Sequence, residues 1–164
     1  MLYKTSLDNL AKGITVAVTL LFAFIIAGQY AFIADNGIAA PIYTTVLVLA
    51  LYILTFVFRP IKYEVLDDSI IIHRPISNIT IYRNQIMSTE IITKHNIGWV
   101  VRVFGVGGLF GYYGKFTNFK MGSMMWYVTR RDRLVLIKTI NGKKIILSPD
   151  EPEKFVADLM RNIN

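Results

Sequence analysis

The sequence predicts a membrane anchor of two helices followed by an all-β domain that a C-terminal helix closes. Three observations lead to this prediction. Residues 14–33 and 42–58 are long stretches without a charge, strand-like alternation begins after Arg59, and the C-terminal residues carry an amphipathic helical pattern. The boundary falls at Arg59-Pro60, which gives an N-terminal segment over residues 1–58 and a domain over residues 59–164.

The two apolar stretches predict a transmembrane α-hairpin. A helix over residues 14–33 would span roughly 30 Å, the thickness of a bilayer core, and residues 42–58 are just long enough. Asn36-Gly37 and Pro41 indicate a turn between them. A cleaved signal peptide would have a shorter apolar region followed by a small-residue cleavage site. Buried helices of a soluble core would show polar positions at helical spacing.

The charges that flank the two stretches predict their orientation. Lys4 and Lys12 precede the first, Arg59 and Lys62 follow the second, and the connecting loop holds Asp35 without any basic residue. Basic residues concentrate on the cytoplasmic side of membrane proteins. We therefore expect a protein of the inner (cytoplasmic) membrane with both termini in the cytoplasm.

The sequence after Arg59 predicts about seven or eight antiparallel strands. Apolar and polar residues alternate in IKYEV. Further strand-like runs follow, namely SIIIHR, ITIYR, QIMSTEIIT, WVVRVF, MMWYVT, RLVLIKT and KKIILS. Asn141-Gly142 between the last two runs is typical of a tight hairpin. Helices do not alternate with these strands, which argues against a parallel sheet.

The C-terminal residues predict one amphipathic helix. Asp150 followed three residues later by Glu153 has the spacing of a capping box. Phe155 and Leu159 belong to a single apolar stripe, which we expect to close the open end of the β core.

This order of elements, and three segments in particular, resemble the bacterial PH domain family. The segments are RVFGVGGLFGYYGKF, YVTRRDRLVLI and NGKKIILSPDEPEKFV. The resemblance implies small membrane proteins with a two-helix anchor before a PH-like domain. It implies no particular activity.

The glycine- and aromatic-rich residues 105–114 have two interpretations. A dinucleotide-binding loop is disfavoured because Phe110 stands where the third glycine is needed and no helix follows. The stretch therefore packs on the sheet, with glycines allowing sharp bends, or it rests on the bilayer. In the second case the residues contacting membrane or a partner would be Leu109, Phe110, Tyr112 and Tyr113.

The sequence predicts neither catalysis nor a cofactor. His73 and His95 are far apart in sequence and lack metal-ligand spacing, and no nucleophile motif is present. We expect no catalytic, cofactor-binding or metal-binding residues, and no nucleic-acid partner for a domain tethered to a membrane.

The basic charge of the domain leaves several functions open. The whole net charge of +7 lies after residue 58, and further membrane- or partner-contacting candidates are Arg130, Arg131, Arg133, Lys143 and Lys144. Such a surface is typical of attraction to anionic lipid headgroups, although a merely solvated basic face has the same composition. We expect a membrane-anchored binding or scaffold module for an unknown protein partner or a homo-oligomer. The alternatives are an anionic-lipid-sensing accessory protein and an accessory subunit of a membrane transporter or enzyme complex.

Overall fold

Residues 1–36 and 40–161 are described by a computed structural model, in which the β-rich part of the chain forms two sheets. The strands are β1 (Leu2–Lys4), β2 (Lys62–Val65), β3 (Ser69–His73), β4 (Ile79–Tyr82), β5 (Ile86–Ile92), β6 (Val101–Gly108), β7 (Gly111–Asn118), β8 (Gly122–Val128), β9 (Leu134–Thr139) and β10 (Lys144–Leu147). The helices are α1 (Asn9–Asn36), α2 (Ala40–Val57), the short α3 (Lys94–Ile97) and α4 (Pro152–Met160).

The strands pair as a four-stranded sheet, β1-β2-β3-β4, and a six-stranded sheet, β5-β9-β10-β8-β7-β6. All neighbours are antiparallel except β10 and β8, which are parallel because β10 inserts between β9 and β8. The predicted number of about seven or eight strands was therefore too low, and the parallel pair was not predicted. The additional strands include β1, which is too short to show alternation, and β7, whose glycines obscure it.

The main core lies between the two sheets. Alternation along β2 and β3 turns Tyr63 and Ile72 inward, and α4 closes the open end with Phe155 and Leu159, both fully buried. The predicted burial of these two helix residues is confirmed. A second core covers the other face of the six-stranded sheet, so β9 is buried on both faces.

The first residues of the chain belong to the β domain. β1 pairs antiparallel with β2, with Tyr3 opposite Tyr63. The buried Tyr3 ring meets Phe155 edge to face at 5.1 Å, and its hydroxyl donates a hydrogen bond to Asp158 of α4. The folded β domain therefore includes β1, which precedes α1 and α2 in the chain, as well as the strands that follow them.

Two turn predictions have different outcomes. The Asn141-Gly142 hairpin is confirmed between β9 and β10, with Gly142 at φ +73°. The capping box is wrong, since α4 begins after Glu151 and no side chain caps it. Asp150 instead accepts hydrogen bonds from the backbone N–H and the hydroxyl of Ser6, because the N-terminal segment brings these donors within reach.

One helix among the described residues, α1, is long and apolar enough over Asn9–Ala31 to cross a membrane, and α2 contains a shorter apolar helix over Pro41–Val57. The two helices contact each other through polar groups. Gln29 donates to the Thr44 hydroxyl at 2.8 Å, and the Thr19 and Tyr52 hydroxyls lie 2.6 Å apart. The predicted turn between the helices falls partly on residues 37–39, outside the described residues.

Candidate functional site at the junction of the helices and the β domain

The glycine-rich stretch forms a β-hairpin, β6–β7, whose two-residue turn is Leu109-Phe110. Gly105 and Gly114 are cross-strand partners at φ +116° and +122°. A Cβ on Gly114 would lie 2.3 Å from the Phe104 carbonyl oxygen, so the two backbones approach closely only because both residues lack a side chain.

The tip of this hairpin contacts α1 and α2. The Phe110 N–H donates to the Thr15 hydroxyl of α1 at 2.9 Å. Its buried ring meets Tyr52 and Phe56 of α2 edge to face, with ring centres 5.2 and 5.3 Å away. Phe110, predicted to contact the sheet or the bilayer, therefore contacts helices α1 and α2 of the same chain. Neither interpretation of the sequence included this arrangement.

Tyr113 makes a second contact with α2. Its hydroxyl donates to the Thr55 carbonyl oxygen, which lies in the last turn of that helix. Burial raises the pKa of Tyr113, so the phenol stays protonated and able to donate. Arg59 follows the helix, with its guanidinium 4.2 Å from the centre of the Phe56 ring. Hairpin and helix end are therefore held together by both polar and aromatic contacts. Leu109, in the turn itself, is half-buried.

The start of α1 is held by Asp8 and its neighbours. Asp8 accepts hydrogen bonds from the Ala11 N–H at 2.7 Å and from the Tyr112 hydroxyl at 3.1 Å. Burial, together with the nearby Asp8 carboxylate, raises the pKa of Tyr112 to about 12. The Arg131 guanidinium lies 4.8 Å from the centre of the Tyr112 ring and 3.8 Å from the Asp8 carboxylate. Tyr112 and Arg131 thus position the first turn of α1.

Arg130 and Arg133 contact the segment before α4. Arg130 pairs with Asp132 at 2.7 Å and Asp150 at 3.0 Å, and Arg133 donates to the Asp150 carbonyl oxygen. The hydrogen bond from Arg130 holds the pKa of Asp132 below its ordinary value. Burial acts to raise the pKa of Asp150, but the hydrogen bonds from Ser6 and Arg130 outweigh it and lower that pKa.

The other two predicted basic residues lie in the β9–β10 hairpin. Lys143 is exposed, whereas the Lys144 ammonium donates to the Met121 carbonyl oxygen. Neither lies beside the β6–β7 hairpin tip. The structure therefore divides the predicted contact residues between the helix junction, the N-terminal segment and a distant turn.

An apolar groove opens beside the last turn of α2, with a volume of about 660 Å³. One wall is Leu54, Thr55 and Phe58, and the other is the adjacent face of the β6–β7–β8 part of the six-stranded sheet. Two rows of cross-strand partners make up that face: Phe104, Lys115 and Met125 in one, and Val106, Tyr113 and Tyr127 in the other. Arg74 and Lys115 are the cations among the lining residues.

β6 is an edge strand whose outer side pairs with no other strand among residues 1–36 and 40–161. Helix α1 contacts the end of β6, where a Cβ on Gly108 would lie 2.5 Å from Ile14. The strand is eight residues long, carries one charge, at Arg102, and exposes Val101, Val103 and Phe104, the last by 79%. Trp99, just before it, is 83% exposed. Sheet edges are normally blunted by prolines, lysines or short length.

Sequence reasoning missed the groove and the edge. The available signal was the run WVVRVF, in which every residue except Arg102 is apolar, so that neither face of the strand is polar. Among the described residues no cluster of three His, Asp or Glu side chains could hold a metal ion. His73 instead ends β3 with its Nε2 2.8 Å from Glu64.

Residues 61–163 match the family model described as Bacterial PH domain. The match covers the β domain from β2 through α4 and leaves β1, α1 and α2 outside it. Searches of curated proteins and of solved structures found no match.

Proposed function

Because the chain belongs to the bacterial PH domain family, we propose that it is a membrane-anchored binding module that holds a protein partner at the cytoplasmic face of the membrane. The sequence resemblance is confirmed for this domain, and PH domains are generally non-catalytic binding modules. The proposal has two parts, the anchor and the binding surface.

The anchor is the pair α1 and α2, crossing the membrane as a hairpin. Both helices expose large apolar side chains along their length, and the basic residues Lys4, Lys12, Arg59 and Lys62 flank them on one side. Pairing of β1 with β2 brings both ends of the hairpin to the same domain. This pairing also argues against a cleaved signal sequence, because cleavage after α1 would remove β1 from its sheet.

Single cysteines test the anchor, since the natural chain has none. In intact cells we expect Asn36→Cys to react with an impermeant thiol reagent and Asn141→Cys to react only after the membrane is permeabilised. Labelling of Asn141→Cys from outside, or of neither position before permeabilisation, would contradict a cytoplasmic domain on a two-helix anchor.

The binding surface is the outer edge of β6, and its exposure is the observation that carries this part of the proposal. Unpaired N–H and C=O groups along an edge accept an extended segment as a further strand. The exposed Arg102 makes no ion pair among the described residues and favours acidic residues in that segment. A second copy of the chain fits less well, because it would bring together two domains of net charge +7.

A photo-crosslinking residue at Val103 tests this surface in cells. We expect an adduct whose crosslinked peptide is an acidic segment of another protein, and we expect Arg102→Glu to suppress it. The matched control is Met87, which is 75% exposed on β5, the opposite edge of the same sheet. No adduct at Val103, equal adducts at both positions, or an adduct to a second copy of the chain would overturn the proposal.

A further inference from the structure

We propose that the groove beside α2 binds one anionic phospholipid, with an acyl chain in its apolar interior and the phosphate between Arg74 and Lys115. This inference rests on the anchor part of the proposed function and is independent of strand pairing at β6. The groove's volume, about 660 Å³, lies within the roughly 300–1,000 Å³ of typical small-molecule sites.

The interior of the groove matches a hydrocarbon chain. Phe58 of the α2 wall and Met125 of the sheet wall are 41% and 38% exposed although both line a concave surface. Two hydroxyls among the lining residues already donate hydrogen bonds within the chain, that of Tyr113 to the Thr55 carbonyl oxygen and that of Thr55 to the Tyr52 carbonyl oxygen. An occupant therefore gains affinity by covering apolar surface, without needing to replace hydrogen bonds.

The rim of the groove matches a phosphate. Its lining residues include Arg74 and Lys115 and no aspartate or glutamate. Arg74 is held in place by hydrogen bonds to Ser77 and by the Phe58 ring, 5.4 Å from its guanidinium carbon. Lys115 is exposed and has no ion pair among the described residues, so its ammonium remains available to an anion.

The position of the groove favours a lipid over a soluble ligand. Its wall is the last turn of the apolar helix α2, directly before Arg59. If α2 crosses the membrane, this turn lies at the level of the headgroups, where an acyl chain enters from the adjacent leaflet without crossing water.

The test is native mass spectrometry of the full chain in a neutral detergent, titrated with phosphatidylglycerol. We expect one retained lipid, about fivefold weaker binding in Lys115→Gln, and loss of binding in Met125→Trp, whose indole would fill the groove. Lys120→Gln is the matched control, because Lys120 is an exposed cation in the turn between β7 and β8 and does not line the groove. We expect it to bind like the natural chain.

Two further titrations test whether the groove binds the acyl chain as well as the phosphate, and whether it prefers an anionic headgroup. Glycerol phosphate, which has no acyl chain, should not displace the lipid, and phosphatidylcholine should bind more weakly than phosphatidylglycerol. Displacement by glycerol phosphate would show a phosphate site and overturn the acyl-chain assignment. Unchanged binding in both Lys115→Gln and Met125→Trp would place lipid elsewhere and overturn the proposal, whatever the outcome of crosslinking at Val103.

Discussion

Gly114→Ala should weaken the β6–β7 hairpin, and with it the attachment of the β domain to α2. The new Cβ would lie 2.3 Å from the Phe104 carbonyl oxygen and 2.8 Å from the Gly105 Cα. Both obstacles are backbone atoms, so no side-chain rotation relieves the contact, and the two strands must move apart.

The expected loss combines two costs. A non-glycine residue at φ +122° carries about 1–3 kcal/mol of backbone strain. Displacing packed strands to admit a methyl group adds about 1–3 kcal/mol, as overpacking does elsewhere. We therefore expect the free energy of unfolding to fall by about 2–6 kcal/mol, which lowers the melting temperature by roughly 10 °C.

Gly122→Ala is the matched control for this experiment. Gly122 also has a positive φ, +69°, but a Cβ there meets no atom within 4 Å. Its substitution should cost only about 1–2 kcal/mol. Thermal unfolding of the full chain in detergent, followed by near-ultraviolet circular dichroism, reports on Trp126, which stacks on Phe116 beside the hairpin. A Gly114→Ala protein that melts at or above the temperature of Gly122→Ala would refute the close-approach explanation.

Three further predictions concern the N-terminal segment and α4. Tyr3→Ala should lower the free energy of unfolding by about 3–5 kcal/mol, because loss of the buried ring leaves a cavity beside Phe155. Tyr3→Phe removes only the hydroxyl and should cost about 1 kcal/mol. Equal losses for the two variants in denaturant titrations would contradict this explanation. Phe155→Ala should cost about 3–5 kcal/mol in the same titration, and a loss under 1 kcal/mol would show that α4 does not close the core. The pKa of Asp150 is lower in the folded protein than in the unfolded chain. The ionised carboxylate therefore stabilises the folded state above the ordinary aspartate pKa of about 4, and this stabilisation is lost as pH falls through the folded-state pKa. Asp150→Asn should therefore destabilise the protein at pH 7 and reduce the fall in its melting temperature between about pH 5 and pH 2. If the melting temperature of the variant depends on pH in this range as that of the natural chain does, Asp150 does not stabilise the fold in this way.

Local patterns in the sequence were sufficient for several elements. The uncharged stretches predicted α1 and α2, alternation predicted β2 and β3, and Asn141-Gly142 predicted the β9–β10 hairpin. Each of these patterns acts within a few residues, through side-chain periodicity or the backbone angles of a turn. Such effects can be recognised without knowing which distant segments meet.

Contacts between distant segments were decided only by the tertiary structure. Asp150 had the spacing of a helix cap, yet it binds Ser6, 144 residues away, because β1 brings the N-terminal segment beside α4. The sequence allowed Phe110 either to pack on the sheet or to rest on a bilayer, but in the structure its ring packs on Phe56 of α2. The same holds for the groove and the open edge of β6. A strand becomes an edge, and an apolar face becomes a groove wall, only through the order in which strands and helices assemble, and neighbouring residues do not encode that order.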